Sequence, residues 1–230
     1  MDISKHCFVI QEIDEDLKSE VLFALSFHSR LINLREDLKW GPGNAENKIS
    51  YQRMMQITDK AKEIKYFLKN TTKEDPNREF KRPLPKRQVI CSHLGISELL
   101  LELLFFMRKN RDGHPETNSQ GITETRIIFQ DKPNEEEKFI EMYNALYEVI
   151  FELIRDNIQF KIHVSKWIQF IFEDVIRYNE EYQLKTLLEL LSKNSFFVNN
   201  FVNAELIEYL VDNMLNNPKA THEFHERKYI

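Results

Sequence analysis

Apolar residues recur every three or four positions along most of the chain, which is the spacing of an amphipathic helix. The first such stretch carries a stripe of four apolar residues and one histidine: Leu17, Val21, Leu25, His28 and Ile32. Acidic residues precede the stripe, and a segment with two glycines and a proline follows it at 40–43. These signals predict a helix over about 14–38 with the stripe facing a partner helix.

The same spacing predicts three further helices before residue 110. One runs from Ser50 to Leu68, and its inner face is formed by Met54, Ile57, Ala61, Ile64 and Leu68. A polar, proline-bearing loop at 70–86 leads to a short helix at Arg87–His93. Gly95 breaks the chain before a longer helix at Ser97–Lys109. Because that helix is apolar on nearly every side, we expect it to lie centrally between its neighbours.

The second half begins with a segment, 110–134, in which glycines and prolines occur among polar residues. This composition predicts a mobile surface loop. Asn134 is expected to cap the next helix, whose seam is Phe139, Tyr143, Leu146, Ile150 and Leu153. Further helices are predicted at about 158–177, 180–193 and 203–216. Residues 1–13 are expected to form an N-terminal extension and 218–230 a frayed tail.

Short connections between successive amphipathic helices favour antiparallel packing of neighbours. The pattern therefore predicts an all-α fold, an armadillo-like α-solenoid of packed antiparallel helices in a single domain over 14–217. A compact irregular bundle is the main alternative.

The composition argues against several classes of fold and function. The 5 glycines are few for a nucleotide-binding α/β fold or an all-β fold, and the net charge of -5 argues against nucleic-acid binding. Cys7 and Cys91 lie far apart, which indicates neither a disulfide framework nor a thiolate zinc site and fits a reducing, cytosolic environment. No apolar stretch is long enough to cross a bilayer, so the polypeptide taken alone is predicted to be soluble.

For the isolated histidines and cysteines, a structural role is preferred to a catalytic or metal-binding one. His222 and His225 have a spacing that can hold a metal, but a charged tail is the preferred interpretation. His28 is expected to be a core or half-buried histidine. Cys91 and His93 are two positions apart and point to different helix faces, which favours packing over an activated thiolate. With no catalytic motif present, we predict no enzyme activity, no cofactor and no metal.

The loop before the third helix is the most basic part of the chain. From Lys69 to Arg87 it holds seven basic residues and three acidic ones. Solvated loop charge is one interpretation. The other is contact with an anion, either a phosphoinositide-like group or an acidic partner surface. Arg87 lies near a predicted helix start, where the helix dipole favours negative charge.

Two blocks of sequence go beyond a generic helical pattern. The first, 87–100, reads as an Arg-Gln pair opening a short helix, then Gly95, then a Leu-rich helix. The second, 143–157, carries Asn, Leu, Tyr and Glu, and later Leu, Ile, Arg and Asn. Together with the Leu-rich segment from Thr186 through Leu210, they resemble the RIH domain shared by ryanodine receptors and inositol trisphosphate receptors. The resemblance spans about residues 14–217.

This resemblance implies an α-solenoid in the cytosolic part of a tetrameric calcium-release channel of the endoplasmic reticulum. The implied role is mechanical, namely relaying ligand-driven movement from an amino-terminal region toward a distant pore. The implied partners are other domains or subunits of that channel. The alternative is a free-standing, armadillo-like adaptor that binds another protein and has no channel activity.

The chain departs from the inositol trisphosphate receptors at positions where they carry basic residues. The matching positions here are Val89, Ser92 and 157–159, none of which is basic. In this respect the chain is closer to the ryanodine-receptor version. If other cations compensate, the residues predicted to bind an anion such as an inositol phosphate are Lys81, Arg82, Lys86, Arg87 and Lys161.

Overall fold

The computed structural model describes residues 14–39, 51–75, 81–111, 115–117, 123–125, 133–178 and 180–192, with isolated positions between 199 and 212. The chain divides into two compact units, Met1–Leu153 and Ile154–Ile230. The predicted extension at 1–13 and tail at 218–230 lie outside the described residues. Of the predicted helix at 203–216, only positions 204, 207, 208, 211 and 212 are described, and they are helical.

The first unit contains five helices among its described residues: α1 (Glu15–Lys39), α2 (Tyr51–Lys69), α3 (Pro85–His93), α4 (Ile96–Arg111) and α5 (Pro133–Ile154, ending at the boundary). Helix α1 packs most extensively against α4 and also contacts α2 and α3. Gly95, between α3 and α4, has φ +66°, a conformation that glycine adopts without a Cβ penalty. The helical content confirms the predicted all-α fold.

Helix α1 differs from the prediction in which face it buries. Its buried residues are Ala24, Phe27, Leu31 and Leu34, whereas Leu25 is 39% exposed. The other four residues of the predicted stripe are half-buried, so the stripe was wrong as the buried face of α1. Apolar residues occur on both sides of this helix, because Leu22 and Phe23 are also exposed. Periodicity alone cannot decide between two overlapping apolar stripes.

Helices α2, α4 and α5 follow the prediction closely, except that α5 begins at Pro133, so Asn134 lies inside the helix and is not its cap. All five residues of the predicted inner face of α2 are buried, as are all five of the predicted seam of α5. Helix α4 buries Leu residues on several sides, including Leu100, Leu101 and Leu104, although Phe105 is exposed. The Tyr143 hydroxyl of α5 donates to the Leu104 carbonyl of α4 at 3.4 Å.

The segment predicted as a loop at 110–134 contains a pair of short strands, β1 (Pro115–Thr117) and β2 (Thr123–Thr125). They pair antiparallel, with Glu116 opposite Glu124. Threonine, which is β-branched, occupies three of the six positions and favours extended backbone. This small hairpin does not alter the helical class of the fold.

The second unit contains α6 (Ile158–Ser165), α7 (Ile168–Tyr178) and α8 (Glu181–Leu191) among its described residues. The predicted single helix at 158–177 is thus divided in two. No glycine or proline occurs at the break, so the sequence carried no local signal for it. Helix α7 packs against α8, and the core between the helices includes Val164, Ile171, Val175, Leu187 and Leu190.

Candidate functional site: the Arg87–Gln88 junction

The start of α3 is held against the end of α2. Leu84 precedes the helix in an extended conformation, and its N–H donates to the Leu68 carbonyl at 2.8 Å. Pro85 occupies the first turn, where its missing N–H costs nothing. This anchoring places the next two residues of the first sequence block, Arg87 and Gln88, among three other helices.

Arg87 joins α1, α2 and α3 through its guanidinium group. The Nε atom donates to Glu20 Oε1 of α1 at 2.9 Å, and Nη1 donates to the Phe67 carbonyl of α2. The guanidinium also lies 4.6 Å from the centre of the Phe67 ring, which in turn stacks on Phe23 of α1. A planar cation that stacks and forms several hydrogen bonds at once is a use of arginine that lysine does not reproduce.

Glu20 forms ion pairs with two cations of the same turn of α3, Lys86 and Arg87. Its other carboxylate oxygen, Oε2, lies 3.0 Å from Lys86 Nζ. Burial by itself would raise the pKa of Glu20, but the interactions with Lys86 and Arg87 outweigh it, so the pKa lies below the ordinary value. Glu20 is therefore held as a carboxylate, the form that pairs with both cations.

Gln88 connects the first sequence block to the second. Its side chain is buried, and Nε2 donates to the main-chain carbonyl of Glu152 in α5 at 2.9 Å. The Arg-Gln pair thus faces two ways, with Arg87 toward α1 and α2 and Gln88 toward α5. We call Glu20, Phe67, Lys86, Arg87 and Gln88 the Arg87 junction.

A row of ion pairs joins α2 to α5 beside this junction. Lys69 lies 3.2 Å from Glu152 and Lys65 lies 3.0 Å from Glu148. At the outer end, Lys62 lies 3.3 Å from Glu141. We call these three pairs the α2–α5 ladder. Residue numbers increase along both helices from pair to pair, so α2 and α5 run in the same direction.

Burial differs sharply along the ladder. The Lys69 and Glu152 side chains are 2% and 3% exposed, whereas those of Lys62 and Glu141 are 42% and 44% exposed. These charged residues were not predicted to belong to the core. One signal was available, because Lys65 and Lys69 are four positions apart, as are Glu148 and Glu152, and each pair shares a helix face with predicted core residues.

A family model described as the RIH domain matches residues 62–230. The chain belongs to the RIH-domain family. Both sequence blocks, 87–100 and 143–157, lie within the matched residues, and so does the whole α3 part of the Arg87 junction. Neither a curated protein nor a solved structure matches the chain.

The predicted anion-binding residues of this RIH domain have different surroundings. Lys86 and Arg87 converge on Glu20, whereas Lys81 pairs with Asp75 across the preceding loop. Arg82 is exposed in that loop. The structure therefore brings Lys86 and Arg87 together around one carboxylate. An external anion would have to compete with Glu20 for them.

Lys161, the fifth predicted residue, belongs to the second unit and is buried there. Its ammonium lies 2.7 Å from Glu189 Oε1 and donates to Ser192 Oγ at 2.8 Å. The same Glu189 oxygen accepts the Asp156 N–H at 3.1 Å, where Asp156 has φ 57°. Lys161 thus helps to hold the turn before α6 against the end of α8.

The remaining candidate residues of the RIH domain lie in different surroundings. Cys91 is fully buried, and burial raises the pKa of its thiol to about 12, so the thiolate form is disfavoured. His93 is exposed and His28 half-buried, while His222 and His225 lie outside the described residues. Among the residues that the structure describes, no group of three or more His, Cys, Asp or Glu side chains could hold a metal ion.

Over the same described ranges, no single helix is long and apolar enough to cross a membrane. Helices α3 and α4 together reach the necessary length and composition, but they are bent by 65° at Gly95.

Proposed function

We propose that this RIH domain is a non-enzymatic, cytosolic solenoid module of an intracellular calcium-release channel of the endoplasmic reticulum. RIH domains occur in ryanodine and inositol trisphosphate receptors, and the match over residues 62–230 is the observation that carries the proposal. In this role the module relays movement from a ligand-responsive region toward the pore. Its partners are other domains or subunits of a tetrameric channel.

The Arg87 junction supports a relay role by its connectivity. Arg87 contacts α1 and α2, and the adjacent Gln88 contacts α5, so displacement of α3 is transmitted to three helices at once. Close packing makes such interiors stiff, and they rearrange between discrete states rather than deforming smoothly.

The test is recovery of the partner from native membranes. We expect an affinity-tagged chain to co-purify with a channel subunit that carries pore-forming spans. Arg87→Ala should weaken the coupling between activating ligand and calcium release in vesicles containing that channel, while Lys166→Ala, an exposed cation of the second unit, should leave it unchanged. A stoichiometric soluble partner, with no channel subunit recovered, would instead support the adaptor alternative.

Anion binding at Lys81, Arg82, Lys86, Arg87 and Lys161 stays a separate prediction. What supports it is the convergence of Lys86 and Arg87 on one carboxylate. Calorimetry against inositol trisphosphate should give heat with the wild-type chain and none with Lys86→Ala/Arg87→Ala. Glu20→Gln should bind more tightly than wild type because the competing carboxylate is gone. Absence of heat from both wild type and Glu20→Gln at near-millimolar ligand would refute the prediction.

A further inference from the structure

A groove of about 620 Å³ lies between α1 and α2, with its floor closed by α5. It lies within the first unit, and none of the Arg87 junction lines it. Its floor is apolar and consists of Phe27, Leu31, Leu34, Ile57, Ala61 and Leu146. These core residues keep only slight exposure, from 1% to 8%, so the groove reaches down to the hydrophobic core.

The rim of this groove is basic. Arg30 of α1 and Arg53 and Lys60 of α2 line it, and none of the described residues that line it is acidic. On α2 the lining residues form two rows with a four-residue step, and residues four apart share a helix face. One row is polar and belongs to the rim: Gln52, Gln56 and Lys60. The other begins at the rim with Arg53 and continues into the apolar floor with Ile57 and Ala61.

This positive rim is local, since the chain as a whole carries a net charge of -5. Lys60 also pairs with Glu63, but that pair is exposed and i,i+3 on one helix, an arrangement of small net strength. An incoming anion can therefore share Lys60 at little cost.

We propose that the α1–α2 groove binds a small amphipathic anion, with the apolar body on the floor and a carboxylate or phosphate at the cations of the rim. The ligand class follows from the floor and the rim together. The apolar floor alone would accept a neutral hydrocarbon, and the basic rim alone would accept a simple anion. The volume falls within the range of about 300–1,000 Å³ that small-molecule sites occupy.

The test compares ligands of one chain length and different head groups. Calorimetry with the full chain should detect binding of dodecanoate and of dodecyl phosphate below their micelle-forming concentrations. Dodecanol tests the apolar body alone and butyrate the head group alone, and we expect each to bind at least about tenfold more weakly than dodecanoate. The ratio between the two dodecyl anions shows whether carboxylate or phosphate is preferred.

Two variants locate the site. Arg30→Gln/Lys60→Gln should lower the affinity for the dodecyl anions about tenfold or more, whereas Lys18→Gln/Lys166→Gln, with the same change in net charge, should not. Gln56→Trp, which fills the groove from an exposed position, should also lower the affinity. Unchanged thermal melting shows that each variant is folded.

Three results would overturn the proposal: equal affinity for dodecanol and dodecanoate, equal loss of affinity in both charge variants, or no heat from either dodecyl anion. Tighter binding of an acidic helical peptide, without binding of the dodecyl anions, would assign the groove to a protein partner and would overturn it as well.

Discussion

The Arg87 junction and the inner α2–α5 ladder use the same elementary interaction, a cation beside a carboxylate, in different surroundings. At the junction, Arg87 and Glu20 are 15% and 14% exposed, and the arginine also stacks on Phe67 and binds a main-chain carbonyl. In the ladder, Lys69 and Glu152 are almost completely buried. The energetic role of an ion pair is thus set by the groups that replace water around it. At the junction, stacking on Phe67 and several hydrogen-bond acceptors stabilise the Arg87 cation. In the inner ladder, each buried charge is stabilised by the opposite charge of its partner.

The largest effect should come from breaking the buried end of the ladder. Lys69→Met leaves the Glu152 carboxylate buried without its cation, so we expect the free energy of unfolding to fall by about 3–5 kcal/mol. Lys69→Met/Glu152→Leu removes both charges and should recover most of the loss. Urea denaturation followed by circular dichroism measures both. If the double variant were no more stable than Lys69→Met, neutralisation would not be what the pair provides.

Arg87→Ala should have a smaller effect, a loss of about 1.5–3 kcal/mol, because it removes hydrogen bonds with a charged donor but leaves partly hydrated partners. Arg87→Lys should restore only part of that loss, since lysine keeps the charge and lacks the planar fork that stacks on Phe67. Urea denaturation of the two variants tests this. Full recovery with lysine would show that charge alone matters at the junction.

The junction should also respond to acid. The pKa of Glu20 lies below the ordinary 4.5, so its contribution to stability is present above that value and is lost as pH falls through the lower folded-state pKa. The difference in unfolding free energy between wild type and Glu20→Gln should therefore be constant near neutral pH and shrink in acid. Urea denaturation from pH 7 to the lowest pH at which both fold measures it. A difference that grows on acidification would contradict the assignment.

The smallest effect should come from the exposed end of the ladder. Lys62→Ala breaks the pair with Glu141, which water screens, and should cost less than about 1 kcal/mol. Lys138 also pairs with Glu141 and compensates for the loss. This variant is the matched control for Lys69→Met, because it removes the same residue type from the same helix. If the free energy of unfolding fell as much as in Lys69→Met, burial would not explain the difference between the two ends of the ladder.

Helical periodicity predicted most elements of this fold and the inner faces of α2 and α5. Periodicity failed where contacts with residues distant in the sequence decide the structure. In α1 two apolar stripes overlap, and packing against other helices, most extensively α4, decides which of them is buried. In the second unit, the break between α6 and α7 has no glycine or proline to mark it.

The candidate site was predictable only in part. The sequence drew attention to Arg87 and to the two blocks, and the RIH-domain family was correctly identified. The contacts of Arg87 with Glu20 and Phe67 could not be read from local sequence, because those partners lie 67 and 20 positions away. Lysines are assigned to solvent by default, and the partners of Lys65 and Lys69 are 83 positions away. The domain boundaries 14–217 and the anion-binding residues stay predictions.

The spacing of the ladder has a consequence for how α2 could slide along α5. A displacement of one helical turn, about 5.4 Å, would place Lys65 opposite Glu152 and form one pair, while Lys69 and Glu148 would each lose the present partner. A displacement of half a turn would restore neither. The two buried pairs therefore favour the present register over any register displaced by half a turn or a whole turn, because only the present one keeps both pairs formed.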